Sequence, residues 1–168
     1  MSPYSSFDSE LVALLPRLRR FAHALSRNPA DADDLTQAAI ERALRSRDQW
    51  QPGSRLDSWA YRIMRNLWID TARARVRKER HEAPEDEARS IGEDPRDAIA
   101  DSLELKRAMA AMERLSDEQR EVVALILVEG FGYREVSEML DLPIGTVSSR
   151  LVRGRMALLE MLGGIADD

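Results

Sequence analysis

The sequence predicts an all-α protein: two small helical domains joined by a flexible acidic linker. Apolar residues recur at three- and four-residue spacing along most of the chain, with no strand-like alternation and no internal repeat. That periodicity lapses in a stretch carrying Pro84, Gly92 and Pro95. Charge reverses at the same place. Gln51 to Arg80 holds eight basic residues against three acidic ones, whereas Glu82 to Asp101 holds eight acidic residues against two arginines. Together these set the boundaries: an N-terminal domain over residues 7–80, a linker over 81–100 and a C-terminal domain over 101–163. A chain of 168 residues can give each domain a modest core.

The first helix is read from Asp8 to Ser26. Leu11, Leu14, Leu15, Leu18, Phe21, Ala22 and Leu25 form its apolar face, and Pro16 is expected to bend or interrupt it. The second begins at Asn28-Pro29, a cap residue followed by proline in the first turn, and runs to about Ser46. Asp31, Asp33 and Asp34 at its start and Arg42, Arg45 and Arg47 at its end both suit the helix dipole. After the loop Gln51-Pro52-Gly53-Ser54, a long helix reaches about Lys78, with Leu56, Trp59, Ala60, Ile63, Leu67 and Thr71 as its buried stripe. In the C-terminal domain, Asp101 to Leu115 is one helix. Ser116 opens another, with Gln119 three residues on as a capping box. The run Val122 to Val128 is β-branched, but the cap, the unbroken length and the stop at Gly130 favour a buried helix. A short helix, Tyr133 to Leu140, a turn at Asp141-Leu142 and a final helix from Pro143 to about Leu162 complete the chain.

Composition excludes several classes. The absence of cysteine removes disulfide scaffolds, thiolate metal sites and cysteine nucleophiles. The longest apolar run, Val122 to Val128, is too short to span a bilayer, and Met1 to Leu15 lacks the basic start of a secretion signal. A soluble cytoplasmic protein is expected. His23 and His81 are isolated, no glycine-rich phosphate loop is present, and no nucleophile–base–orienter set exists. The expectation is a protein with no catalytic residues, no metal and no cofactor.

The sharpest functional signal is the last helix pair. Val136, Leu140, Ile144, Val147 and Leu151 are apolar where two helices of a helix-turn-helix cross. Thr146, Ser148, Ser149, Arg150, Arg153 and Arg155 project outward, and hydroxyls and arginines can reach phosphates and base edges. An ordinary helical hairpin with a solvated face is the alternative. On the long helix, Tyr61, Arg62, Arg65, Trp68 and Ile69 lie opposite the buried stripe. They are either a surface on which single-stranded bases stack or side chains packed on a neighbouring helix. On the second helix, Asp34, Gln37, Glu41 and Arg45 project together, as a solvated face or a docking surface.

Taken with these motifs, the whole chain resembles the extracytoplasmic-function sigma factors of bacterial RNA polymerase. Asp31–Leu44 (DADDLTQAAIERAL) is similar to the core-binding helix of sigma region 2. Ser58–Arg73 (SWAYRIMRNLWIDTAR) resembles the helix that melts and recognises the −10 element. Leu115–Val123 (LSDEQREVV) with Gly145–Arg153 (GTVSSRLVR) resembles region 4. The resemblance implies that Asp34, Gln37 and Glu41 dock on the β′ subunit of the polymerase core. It implies that the Pro52–Arg55 loop, Tyr61, Arg62, Arg65, Asn66, Asp70 and Arg73 engage the −10 element, including a flipped base. Thr146, Ser148, Ser149, Arg150 and Arg153 would then read the −35 element. The partners implied are the polymerase core with its β and β′ subunits, promoter DNA and an anti-sigma factor. The linker would thread the polymerase channels. Three positions depart from the family pattern: Ala38 replaces a frequent carboxylate, Asp141 takes a turn position usually held by glycine, and Ser148 replaces a frequent basic residue. The competing readings are a free-standing helix-turn-helix regulator, an enzyme with a DNA-binding tail, and a sigma mimic that sequesters an inhibitor.

Overall fold

A computed structural model describes residues 3–81 and 103–163; the acidic stretch and the start of the helix after it lie outside the described residues. Every regular element among the described residues is helical.

The N-terminal unit has three α-helices, α1 (Pro3–Ser26), α2 (Pro29–Arg45) and α3 (Leu56–Glu79), with a 3-10 turn over Arg47–Gln49. Helix α1 starts earlier than expected and continues through Pro16. The proline costs the Val12 carbonyl its helical partner, but Val12 and Pro16 both face solvent, where water satisfies such a group. Asn28 caps α2 as expected: its Oδ1 accepts from Ala30 N at 2.9 Å and Asp31 N at 3.3 Å. Phe7, Leu18 and Phe21 of α1, Leu35 and Ala39 of α2, and Leu56 and Met64 of α3 are buried in the core. Arg75 near the end of α3 grips Asp31 at the start of α2 with two hydrogen bonds, 2.7 and 3.0 Å. One expected core position is outside it: Thr71 is exposed and donates to the Leu67 carbonyl.

The C-terminal unit runs α4 (Leu103–Glu113), α5 (Asp117–Val123), a π-helical turn over Ala124–Val128, α6 (Tyr133–Leu140) and α7 (Ile144–Gly163). Ser116 caps α5, its Oγ accepting from Gln119 N at 3.2 Å. The Val122–Val128 run is helical, but not one buried α-helix. The wide turn closes with Glu129 N donating to the Ala124 carbonyl at 2.9 Å. One extra residue in the turn rotates the side chains beyond it to new directions. Leu127 and Val128 therefore stand about half exposed, at 51% and 49%, while the Glu129 side chain is buried. Asp141 ends α6 with φ 52°, the left-handed conformation that aspartate tolerates. Gly154 lets α7 cross α5 closely.

The two units pack together. Helices α1 and α3 meet α5, the π turn and α6.

Candidate nucleic-acid interface

Helix α2 holds Asp34, Gln37, Glu41 and Arg45 on one exposed face, with Ala32, Leu35, Ala39 and Ala43 buried opposite. Gln37 Nε2 donates to Glu41 at 3.4 Å across one turn. Beside this face, Leu15, Thr36 and Ile40 help line a shallow groove between α1 and α2.

Helix α7 holds the second set. Val147 and Leu151 are buried against the rest of the unit, as are Val136 and Leu140 of α6. Ile144 is not: it is 52% exposed, because it sits at the open mouth of the turn, ahead of the crossing point. Ser149 and Arg153 project into solvent; Thr146 and Ser148 are half-buried. Ser149 Oγ donates to the Thr146 carbonyl at 3.1 Å, and Arg150 reaches Glu118 of α5 at 3.5 Å.

The third set, on and before α3, is where the structure departs furthest from a simple solvated face. Asn66, Asp70 and Arg73 are exposed. Tyr61 is not; it is 1% exposed and belongs to the core. Its ring lies 4.9 Å from Phe21 and 5.2 Å, edge-on, from Phe131 of the other unit, with the Arg17 guanidinium 5.7 Å from its centroid. Burial, and then the nearby Glu129 carboxylate, push its phenol well above the usual tyrosine range. Met64, absent from the expected stripe, is fully buried. Helix α3 thus has two covered sides: α1 and α2 pack on one, and the C-terminal unit on the other.

The basic residues of that second side are engaged by the C-terminal unit. Arg55 forms an ion pair with Glu135 of α6 while also holding Asp57 at 2.9 Å. Arg62 donates to the Glu138 carbonyl at 2.8 Å. Arg65 donates to Glu121 of α5 at 2.8 Å. Burial pushes the Glu121 carboxyl up, and Arg65 opposes that only in part. Beneath them, Arg20 holds Glu129 with bonds of 2.8 and 3.0 Å, and Arg17 adds one of 3.1 Å. Burial pushes the Glu129 carboxyl up, but these guanidinium bonds outweigh it and hold it below the ordinary range.

Two further arginines tie the units together end to end. Arg120, 2% exposed, donates to the Ala24 and Leu25 carbonyls at the C-terminus of α1. Arg27 donates to the Leu115 carbonyl just past α4. Arg120 thus supplies a cation to the negative end of α1, and Arg27 bonds the connection between α4 and α5. A groove of about 630 Å³ remains open beside this contact, with Trp68, Ile69 and Arg73 of α3 facing Glu118 and Arg150.

Sequence reading missed Arg17, Arg20, Arg120, Glu121, Glu129 and Phe131. Only Phe131, an aromatic between two glycines after a helix stop, stood out locally.

Comparison with known proteins adds identity to this geometry. The family model for sigma-70 region 2 matches residues 11–78, and that for sigma-70 region 4 matches 105–158. The chain is 36% identical to the ECF RNA polymerase sigma factor EcfG of Rhodopseudomonas palustris, over 94% of this chain and 85% of that protein. It is 39% identical to the ECF sigma factor SigE of Mycolicibacterium smegmatis, over 94% of this chain and 62% of that protein. Its structure matches that of the sigma factor RpoE, in complex with the anti-sigma factor NepR, from Bartonella quintana. That match has a TM-score of 0.83 and 34% identity, and covers 94% of this chain and 97% of that one.

Proposed function

The chain belongs to the sigma-70 family, in its extracytoplasmic-function group, and from that premise we propose how its parts divide the work. A sigma factor gives bacterial RNA polymerase its choice of promoter and lets it begin transcription. The division of labour runs along residues 7–80, the linker 81–100 and residues 101–163. Asp34, Gln37 and Glu41 on α2 are the contact to the β′ subunit of the polymerase core. Arg55, Tyr61, Arg62, Arg65, Asn66, Asp70 and Arg73 are the −10 contacts. Holding a base out of the stack costs unstacking energy, which aromatic and guanidinium neighbours offset. Thr146, Ser148, Ser149, Arg150 and Arg153 of α7 are the −35 contacts, with the arginines suited to guanine edges. The chain performs no reaction of its own; the chemistry is the polymerase's, and it acts in the cytoplasm where that enzyme is. An anti-sigma factor is a partner, supported by the 34%-identical relative in complex with one.

The observation that carries this reading is positional. The exposed α2 face, the basic α3 and the outward face of α7 fall in the family's order, inside its two matched segments. Purified chain mixed with sigma-free core polymerase is expected to co-elute with it and to support run-off transcription from a genomic promoter library. The start sites are expected to share two upstream motifs at fixed spacing. Tight binding to a palindromic duplex without core binding would instead establish a free-standing regulator.

A further inference from the structure

Between the 3-10 turn and α3 lies the loop Gln51–Arg55, which contains the Pro52–Arg55 segment read above as a −10 contact. All five residues are exposed. The Gln51 carbonyl accepts from Ser54 N at 3.0 Å and from Ser54 Oγ at 2.6 Å, with Gly53 at φ 90° inside the turn. The loop is thus shaped from within, but what places it against the rest of the chain lies at its two ends. Trp50 precedes it, and Leu56, buried in the core, follows it. Phe7, near the start of α1 and buried, joins the two flanks. Its ring centroid lies 5.4 Å from that of Trp50, before the loop, and 6.0 Å, edge-on, from that of Trp59, in the first turn of α3. Arg47 of the 3-10 turn doubles the tie: its guanidinium stands 5.9 Å from the Phe7 centroid and 3.7 Å from the Asp8 carboxylate. Trp50 itself is held by ring packing, since its buried Nε1 has no hydrogen-bond partner among the described residues.

We propose that Phe7, Trp50 and Trp59 are positioning residues for base choice at the −10 element: the aromatic cluster fixes both ends of the Gln51–Arg55 loop, and so fixes where the loop's polar groups meet a base. The rings act through the loop and not on the base. The proposal rests on the −10 reading of that loop. Its physical ground is tolerance. A recognition group about 1 Å out of place stops discriminating, and a loop holds its groups less precisely than a helix unless packing locks its ends. Aromatic pairs suit that task, because offset and edge-on contacts fix angle as well as distance. The cluster gives the first turns of α1, far from the loop in sequence, a part in promoter choice. It also separates two properties: loosening the rings costs selectivity at the −10 element, while the α2 face and the outward face of α7 keep theirs.

The test uses the full-length chain with sigma-free core polymerase, in run-off transcription from promoters carrying each of the four bases at every −10 position in turn. Preference is the ratio of product from the favoured base to product from the next. Phe7→Leu and Trp50→Leu keep apolar bulk and remove a ring. Each is expected to lower the preference at one −10 position by about fivefold or more, the low end of what one well-placed base contact is worth. Preference at the −35 element is expected to stay within about twofold, well inside that range. Trp50→Phe keeps a ring and gives up no hydrogen bond, so it is expected to match the parent's preferences. Leu18→Val, in the same core but further along α1, reports plain loss of stability and is expected to lower total product without moving any preference. Should Phe7→Leu not fold, Trp50→Leu decides, because Trp50 is only half-buried and lies outside the long helices. Unchanged preferences in the ring-removing variants would overturn the proposal, as would equal flattening by Leu18→Val or by Trp50→Phe. The −10 reading of the loop is tested separately, by Ser54→Ala and Arg55→Ala on the same promoters. If these leave every −10 preference intact, that reading fails. If they alter one and the ring-removing variants alter none, only the positioning role fails.

Discussion

Gly154→Ala tests the packing that sets the angle of α7. A Cβ built at Gly154 lies 2.7 Å from Cγ2 of Val123 and 3.6 Å from Cβ of Gln119. Val123 is 1% exposed and β-branched, and in a helix it has one strongly preferred rotamer, so the methyl group cannot swing aside. Relieving the overlap means lifting α7 from α5, and such overpacking costs about 1–3 kcal/mol. Alanine in a helix interior gains about 1 kcal/mol over glycine, leaving a net loss of up to about 2 kcal/mol. That corresponds to a Tm lowered by roughly 2–4 °C for each kcal/mol in a chain of this size. Urea unfolding followed by far-ultraviolet circular dichroism measures it. The decisive comparison adds Val123→Ala. Alone it removes two buried methyl groups and destabilises. Combined with Gly154→Ala it makes room for the new Cβ, so the double variant is expected to be more stable than the sum of the singles by about 1 kcal/mol or more. Additive singles, or a Gly154→Ala protein more stable than the parent by the full helix-propensity gain, would refute the steric argument.

Asn28→Ala removes the acceptor for Ala30 and Asp31 N–H groups and is expected to cost about 1 kcal/mol, read in the same urea titration. Arg150→Ala and Arg153→Ala are each expected to weaken holoenzyme binding to −35 duplex by about 1–3 kcal/mol with altered sequence preference, measured by fluorescence anisotropy; a uniform loss across sequences would assign them to phosphates. The Glu129 carboxyl titrates below its ordinary range in the fold. Its contribution is therefore present above the unfolded value of about 4.3 and is lost as pH falls through the folded value. Urea midpoints measured from pH 6 downward are expected to fall on the acid side, and Glu129→Gln is expected to flatten that limb. Arg65→Ala is expected to impair open-complex formation more than initial promoter binding, which permanganate reactivity at the −10 element would reveal.

The parts of this molecule legible in its sequence are those written in short-range chemistry. The Asn28-Pro29 start of α2, the Ser116 cap, the limits of α6 and the left-handed Asp141 all come from residues within one turn of each other. The crossing of α6 and α7 was legible too, because Val136, Leu140, Val147 and Leu151 must meet. The illegible parts lie across the chain. Arg20 and Glu129 are separated by 109 residues, Arg65 and Glu121 by 56, and ion pairs leave no periodic trace. Tyr61 was left between a stacking surface and packing on a neighbouring helix, because a helical wheel records one buried side; it is buried, and the second side that buries it exists only once another unit packs there. The π turn was hidden for a different reason: Val122–Val128 is apolar throughout, so no polar marker records a change in residues per turn. Gly154 was the one available hint of close approach, a glycine inside a helix with no turn to make.

The backbone contacts made across the units, Arg120 onto the end of α1 and Arg27 onto Leu115 between α4 and α5, bear on how such proteins can be recombined. Sigma factors invite engineering by exchange: one parent's −10 reader joined to another's −35 reader, to make a regulator orthogonal to both. Here the seam between the halves is not neutral ground. A graft that brings in a foreign C-terminal half keeps the parent's Arg55, Arg62 and Arg65 but replaces the acceptors that hold them, and leaves the α1 carbonyls facing whatever stands at position 120. The useful crossover unit is then a matched pair of surfaces, and a chimera that imports only the reading helix while keeping the parent's Arg120, Glu121, Glu129 and Glu135 opposite its own Arg17, Arg20, Arg55 and Arg65 is the one expected to behave as its parent does before meeting polymerase.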